Sequence, residues 1–396
     1  MYFDLDTKRA FDFDIPTRAI FGAGRLNDLH AEKMPGKKAM IIVYKGMSPK
    51  ENEYLARTEE QLHLAGVETV VFGKIEANPE KKTIEEGAAF AKENQCDFLV
   101  ALGGGSVIDG AKAIAVTAVY DGDLWDFAGQ GTGKAIPITK ALPIIAIATT
   151  AGTGSETDAG AVITKAETNE KMGIVGYDMF PVLAVIDPEL MCSIPPKLTA
   201  LTGFDALFHS VEGYISTVPN YMSDMFALTA IENVSHNLVR AVKDGNDLEA
   251  RERVAFASYL SGIEMCIGGV SSQHGLEHAL SGYYPQIPHG AGLIMISKAF
   301  FTHFVKEHVC DDRFIRLAKV MGMEDANDPM DFITMLEKLK EDCGVADLKM
   351  ADYGVDPEKF DEIAAHAKYI ETGLLEIDRK VLTVEECADI YKNSYK

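Results

Sequence analysis

The stretch TGFDALFHSVEGYIS, residues 202–216, sets Asp205 and His209 four apart in a run that otherwise reads as a buried helix. That spacing puts both side chains on one helical face. A carboxylate in an apolar setting is costly unless its charge is compensated. A salt bridge, a local hydrogen bond or a metal ion would each compensate it. A second stretch, QHGLEHALSGYYPQIPHGAG (273–292), holds His274 and His278, again four apart, and His289 on a Pro-His-Gly turn. Asp205, His209, His274 and His289 can close a site of one carboxylate and three imidazoles, a donor set suited to Fe(II), Zn(II) or a related divalent ion. Neither stretch contains a cysteine, which speaks against a closed structural zinc site. A free coordination position would admit an alcohol or carbonyl oxygen, with the metal as Lewis acid. The plainer readings are a hydrogen-bonded Asp–His pair and, for His278, a core histidine bonded to a carbonyl.

Two further stretches suit a nucleotide. ALGGGSVIDGAK (101–112) places Gly103, Gly104 and Gly105 between a strand and a helix. Glycines let backbone N–H groups approach a ligand, and the helix N-terminus adds unpaired donors and positive dipole. Ser106 can donate as well. The motif is neither GxGxxG nor a lysine-bearing P-loop. Its plain reading is a tight turn in which Ser106 caps the helix and Asp109 completes a capping pattern. ATTAGTGSETDAGAVIT (148–164) is a second small-residue loop after a strand, with the hydroxyls of Thr149, Thr150, Thr153 and Ser155 able to line a cofactor. Both loops leave the C-terminal ends of strands, where open α/β sheets bind ligands.

The elements that must position these residues follow from periodicity. Buried strands are expected at 37–44, 67–73, 96–105, 142–150 and 182–188, with amphipathic helices at 50–66, 79–94 and 106–119 between them. Such alternation predicts a parallel sheet covered by helices on both faces. After Pro188 the texture becomes wholly helical. The expected division is an α/β half, residues 1–189, and an all-α half, residues 190–396.

The chain has 396 residues, 47% hydrophobic and 25% charged, enough for two ordinary cores. A formal net charge of −22 would repel nucleic acid and anionic lipid, so neither is an expected partner. The six cysteines are dispersed, as in a reducing compartment. The first residues, MYFDLDTKRAFDFDIP, lack a signal-peptide pattern, and no apolar run approaches the ~20 residues of a membrane span. A cytoplasmic location is expected.

Taken in order, the motifs resemble those of the iron-containing (group III) alcohol dehydrogenases, butanol dehydrogenase-like members included. The resemblance covers essentially the whole chain. FDIPTRAIFGAGRLNDL is similar to the family's entry strand and turn, GGGSVID to its pyrophosphate loop, and TTAGTGSE followed by AVIT to its nicotinamide-side loop. DPELMCSIPPKLTALTGFDALFHSVEGYIS and HGLEHALSGYYPQIPHGAG are similar to its two metal segments. The resemblance implies a fold like that of dehydroquinate synthase: an α/β dinucleotide-binding domain followed by an all-α metal-binding domain. It implies Asp205, His209, His274 and His289 as metal ligands and His278 as a nearby proton relay. It also implies Gly104, Gly105 and Ser106 as pyrophosphate contacts, Thr149 and Thr150 as cofactor contacts, and Lys171 as a lysine near the ribose. One departure is the spacing from His274 to His289, fifteen residues where many relatives have fourteen, with the extra residue expected in YYPQIP.

The implied activity is reversible hydride transfer between a nicotinamide cofactor and a primary alcohol or aldehyde, in a homodimer. A metal- and NAD-dependent lyase of the dehydroquinate synthase type is the alternative. In the family, the residue after the first sheet strand reads the adenosine ribose and is often aspartate in members preferring NAD. Here it is Tyr44, followed by Lys45, Ser48 and Lys50 as possible phosphate donors. Loss of the acid and gain of donors favour NADP(H) over NAD(H).

Overall fold

The computed structural model of the chain describes residues 7–396, which form two compact units. One consists of residues 14–168 and 172–194. The other takes residues 195–396, the described residues up to Phe13, and the three residues Asn169–Lys171.

Eight strands lie among the described residues: β1 (Arg18–Phe21), β2 (Lys38–Tyr44), β3 (Glu68–Ile75), β4 (Phe98–Gly103), β5 (Ile144–Ala148), β6 (Gly160–Lys165), β7 (Glu170–Val175) and β8 (Leu183–Ile186). Six make one sheet in the order β1-β8-β5-β4-β2-β3, and every pairing in it is parallel. Helices α1 (Pro49–Leu64), α2 (Lys81–Glu93) and α3 (Gly105–Thr117) connect its strands. β4, β5 and β8 are buried from end to end, and so are Ala39–Val43 of β2. Continuous apolar runs of this kind are the mark of strands covered on both faces. The chain places β3 on one side of β2 and β4 on the other. The crevice beyond the C-terminal ends of β2 and β4, at Tyr44 and Gly103, is therefore the topological switch point.

β6 and β7 form a separate two-stranded sheet that the periodicity does not announce. The strands expected at 37–44, 67–73, 96–105, 142–150 and 182–188 are β2, β3, β4, β5 and β8.

The second unit is helical: α4 (Pro196–Ile215), α5 (Tyr221–Lys243), α6 (Leu248–Gly268), α7 (Ser272–Tyr283), α8 (His289–Lys306), α9 (Asp311–Val320), α10 (Met330–Asp342), α11 (Phe360–Ile370), α12 (Thr372–Glu376) and α13 (Val384–Ser394). α4 is buried on every side from Gly203 to Ile215 and packs against α5, α6 and α8. A helix apolar all round is a core helix. The ring of Phe208 lies 5.9 Å from that of Phe301 on α8. Among the described residues, no single helix is long and apolar enough to cross a membrane. The fold class is the expected one, an α/β unit and a helical unit, but the division lies at 194/195 rather than 189/190, and the described residues up to Phe13 and the piece Asn169–Lys171 group with the helical unit.

Candidate metal centre

Asp205 and His209 lie one turn apart on α4 and are 3% and 5% exposed. His274 and His278 lie one turn apart on α7, and His289 opens α8. All five side chains meet inside the helical unit. Asp205 Oδ1 is 3.7 Å from His209 Nδ1, 3.5 Å from His274 Nε2 and 3.4 Å from His289 Nε2. These distances are too long for good hydrogen bonds. The His209 and His274 rings stack at 4.3 Å. Close helix contact makes the convergence possible. A Cβ on Gly290 would stand 2.2 Å from the Leu201 carbonyl oxygen, so the first turn of α8 rests directly on the backbone of α4. That contact seats His289 beside Asp205.

Three buried atoms in the cluster have no hydrogen-bond partner: Asp205 Oδ1, His209 Nδ1 and His274 Nε2. Orphaned buried polar atoms are costly, and native proteins contain few of them. Asp205, His209 and His274 offer ligand atoms within 4.8 Å of one another, and Glu277, His278 and His289 form an adjoining group of the same kind. A divalent cation would satisfy the orphans, and an oxygen with imidazole nitrogens is a donor set such a cation accepts. The residues fit the metal.

The second layer is ordered. His274 Nδ1 bonds to Glu212, which also accepts from Ser271 N and Oγ and from His274 N at 3.1–3.2 Å. His289 Nδ1 bonds to Glu277. His278 Nδ1 lies 2.7 Å from Glu371, on the turn between α11 and α12. A carboxylate on Nδ1 fixes a ring's orientation and raises the basicity of the far nitrogen. Burial raises Asp205, but His209 and His289 outweigh it and hold the carboxylate well below its usual range. Burial lowers His274, but Glu212 and Asp205 outweigh it and carry the imidazole to about 10. Burial, against the pull of Asp205, leaves His209 at about 4. Burial, with the Lys171 charge, keeps His278 neutral, well below its ordinary value. Burial also pushes Glu371 up to about 8.

Lys171, expected beside a ribose, lies in this cluster. Its Nζ donates to Glu277 at 3.1 Å and to Ser281 at 2.9 Å.

The other expected site residues lie in the α/β unit. Gly103 ends β4, Gly104 is the N-cap of α3, and no side chain caps that helix. Its first N–H groups and dipole suit a pyrophosphate. A Cβ on Gly104 or Gly105 would approach the side chains of Thr150 and Thr153 to within 3 Å, so the two small-residue loops pack glycine against threonine. Thr149 N–H donates to the Gly103 carbonyl at 3.0 Å. Ser106 stands half-buried on the first turn. Asp109 turns to the second loop, where it accepts from Ser155 Oγ at 2.5 Å and from Val162 N–H at 2.9 Å. Lys112, fully buried, donates to Ser155, Asp158 and the Gly160 carbonyl. The loop is thus braced from α3 rather than flexible. At the end of β2, the Tyr44 hydroxyl accepts from Ala77 N–H, Ser48 caps α1 in a capping box with Glu51, Lys45 pairs with Glu76, and Lys50 with Glu53.

Sequence reasoning passed over Glu212, Glu277, Glu371 and Lys112. Glu212 had a signal, seven residues after Asp205 and three after His209 on the same face. Glu277 had one too, three residues after His274. Glu371 had none, being 93 residues from His278.

Comparisons with known proteins place the chain in a family. Residues 16–188 match the family model described as iron-containing alcohol dehydrogenase, and residues 199–395 match its C-terminal counterpart. The chain is 33% identical to 1,3-propanediol dehydrogenase of Klebsiella pneumoniae, covering 91% of this chain and 92% of that one. It is 32% identical to NAD-dependent methanol dehydrogenase of Bacillus methanolicus, over 97% and 99% of the two chains. Among solved structures, an archaeal halo-thermophilic Red Sea brine pool alcohol dehydrogenase superposes with a TM-score of 0.92 at 34% identity, covering 98% of this chain and 100% of that one. A sulfoacetaldehyde reductase of Bifidobacterium kashiwanohense in complex with NAD+ superposes at 0.82 with 27% identity, over 98% and 99%.

Proposed function

The chain belongs to the iron-containing alcohol dehydrogenase family and is an alcohol dehydrogenase, and on that premise we propose that it uses one divalent metal ion and NADP(H) to interconvert a primary alcohol and its aldehyde. The observation that carries the metal is the convergence of three orphaned, buried ligand atoms on Asp205, His209 and His274, with His289 Nε2 beside them. Asp205, His209, His274 and His289 would hold the ion, which would supply Lewis-acid polarisation of the substrate oxygen. The nicotinamide would supply the hydride chemistry.

The chain's own residues handle the proton. His278 has its Nδ1 on Glu371, which leaves Nε2 as the exchanging atom. Below about pH 8 the Glu371 carboxyl keeps a proton and donates it to Nδ1, so Nε2 carries the ring hydrogen. Above that pH the carboxylate accepts from Nδ1–H, and the Nε2 lone pair is available to take a proton from an alcohol. A base orienting an imidazole by its far nitrogen is a recurring arrangement in general-base catalysis. Burial of Asp205, His209, His274 and His278, with His289 only partly exposed, limits the competition of bulk water for these positions.

The lyase reading is not favoured. It requires cations to hold an acidic substrate, and Lys171, which touches the cluster, is already paired with Glu277.

The coenzyme reading rests on Tyr44, uncharged at the end of β2, with Lys45, Ser48 and Lys50 beside it. The partners of the two lysines are exposed carboxylates, and exposed ion pairs are weak enough for a phosphate dianion to displace. Coenzyme reduction and oxidation with a panel of simple alcohols and aldehydes, on protein of known metal content and with both coenzymes, tests the proposal. Steady turnover with a metal requirement and a preference for NADP(H) is expected. Turnover without metal would remove the first part, and a preference for NAD(H) the second.

A further inference from the structure

Two of the histidines in the metal cluster are backed differently. Behind His274 stands Glu212, whose other donors are the neutral Ser271 N–H, Ser271 hydroxyl and His274 N–H. Behind His289 stands Glu277, whose Oε2 takes both the His289 ring nitrogen and the ammonium of Lys171.

The second arrangement is built into the backbone. Glu277 is fully buried on α7, and a Cβ on Gly292 of α8 would stand 2.7 Å from its Cγ and from its Oε1. A side chain at 292 would therefore crowd Glu277 and force one of the two to shift. Lys171 is 3% exposed and reaches in from the three-residue piece Asn169–Lys171. That piece is fastened at Asn169. Its carbonyl oxygen accepts from His366 Nε2 at 3.2 Å, and the same oxygen would lie 2.4 Å from a Cβ on Gly282. Ser281 takes a further hydrogen of the ammonium at 2.9 Å, and Nζ comes within 3.4 Å of His289 Nδ1. A buried cation is thus delivered to the far side of one particular imidazole.

We propose that Glu277 is a positioning residue for the ligand His289 and Lys171 its counter-ion, so that this buried pair tunes how tightly the centre holds a divalent metal. The inference rests on the metal reading of Asp205, His209, His274 and His289. Its physical content is a difference in sign. Glu277 orients His289 and adds negative charge near the cation, so it strengthens binding. Lys171 adds positive charge on the same side, so it weakens binding while keeping Glu277 in place. A scaffold role for the pair would make loss of either partner harmful in the same direction.

The test is the dissociation constant for Zn(II), measured on the metal-free full-length chain by competition with a chromophoric chelator at fixed pH. Glu277→Gln leaves the lysine uncompensated beside the metal and is expected to weaken binding about 10- to 100-fold, the usual range for second-layer partners. Lys171→Met is expected to bind Zn(II) at least as tightly as the wild type. The double variant removes both charges, keeps an amide oxygen to accept from His289, and is expected within about tenfold of the wild type. Lys171→Arg retains the charge and is expected to match the wild type. Thermal unfolding of each metal-free protein reports folding separately. If Glu277→Gln does not fold, the double variant and Lys171→Arg carry the test, and a loss of more than about tenfold in either overturns the proposal. It is equally overturned if folded Glu277→Gln binds like the wild type, or if Lys171→Met loses Zn(II) as severely as Glu277→Gln. A wild-type chain that binds no Zn(II), Fe(II) or Co(II) would instead remove the metal reading beneath it.

Discussion

Replacing Glu371 by Gln isolates the proton-handling arm of the site. Glu371 is buried and 2.7 Å from His278 Nδ1. Burial raises its carboxyl to about 8, against an ordinary value of 4.5. The sign follows from which form is useful. Alcohol oxidation needs an unprotonated Nε2 on His278, which requires the proton to sit on Nδ1 and Glu371 to be ionised. The kcat/KM for oxidation should therefore climb through about pH 8 and level off above it, while aldehyde reduction should fall over the same interval. Gln cannot ionise, so the limb near pH 8 should vanish from both directions. The size can be bounded. A hydrogen bond to a charged partner contributes about 1.5–3 kcal/mol. If that bond strengthens by this amount as the imidazole becomes cationic, its loss slows oxidation about 10- to 150-fold at pH 9. The assay is initial-rate oxidation from pH 6 to 10 with saturating coenzyme, beside metal analysis of both proteins. Since Glu371 touches His278 and not a proposed ligand, metal content should be unchanged. A variant that keeps both the limb near pH 8 and the wild-type rate would refute the reasoning.

Three further outcomes follow from the same geometry. His278→Ala should keep its metal by elemental analysis yet lose about 10²–10⁴ in kcat, the usual share of a general acid–base, whereas loss of the metal would make His278 a ligand. Gly290→Ala should force α8 away from the Leu201 carbonyl, destabilise the fold by about 1–3 kcal/mol in denaturant titration and lower metal affinity; a variant with wild-type stability and affinity would show that the contact does not seat His289. Steady-state kinetics should favour NADP(H) about ten- to hundredfold, and Tyr44→Asp should reverse that preference by repelling the 2′-phosphate; an unchanged ratio would show that this position does not read the phosphate.

Much of the site was legible because helices write their faces into sequence spacing. Asp205 and His209, and then His274 and His278, announce themselves at intervals of four, and the structure brings both pairs together. Glu212 and Glu277 lie on the same faces, yet a single acid in an apolar helix has many uses, and spacing does not say which ring nitrogen it meets. Glu371 and Lys171 were beyond reach as partners. Their contacts join residues 93 and 106 apart, and no local rule relates such positions. The same contrast holds for the fold. β2, β4, β5 and β8 are buried apolar runs and were legible. β6 (GAVITK) and β7 (EKMGIV) show neither a long apolar run nor a clean alternation, and their turn uses Asn169 at φ +54°, a conformation sequence marks only weakly. The loop at 148–164 shows only small residues and hydroxyls in sequence, and its composition does not reveal that the buried Lys112 and the half-buried Asp109 brace it.

On the proposed function, one divalent ion bound by Asp205, His209, His274 and His289 makes this chain an active alcohol dehydrogenase. The most direct measurement is a titration of metal-free protein with Fe(II) or Zn(II) under anaerobic conditions, following alcohol oxidation rate against metal added. The rate should rise linearly from a negligible baseline and break at about one equivalent per chain, and His274→Ala should show neither the rise nor the break. Full turnover by protein verified to be free of metal, or a break unaffected by His274→Ala, would contradict the account.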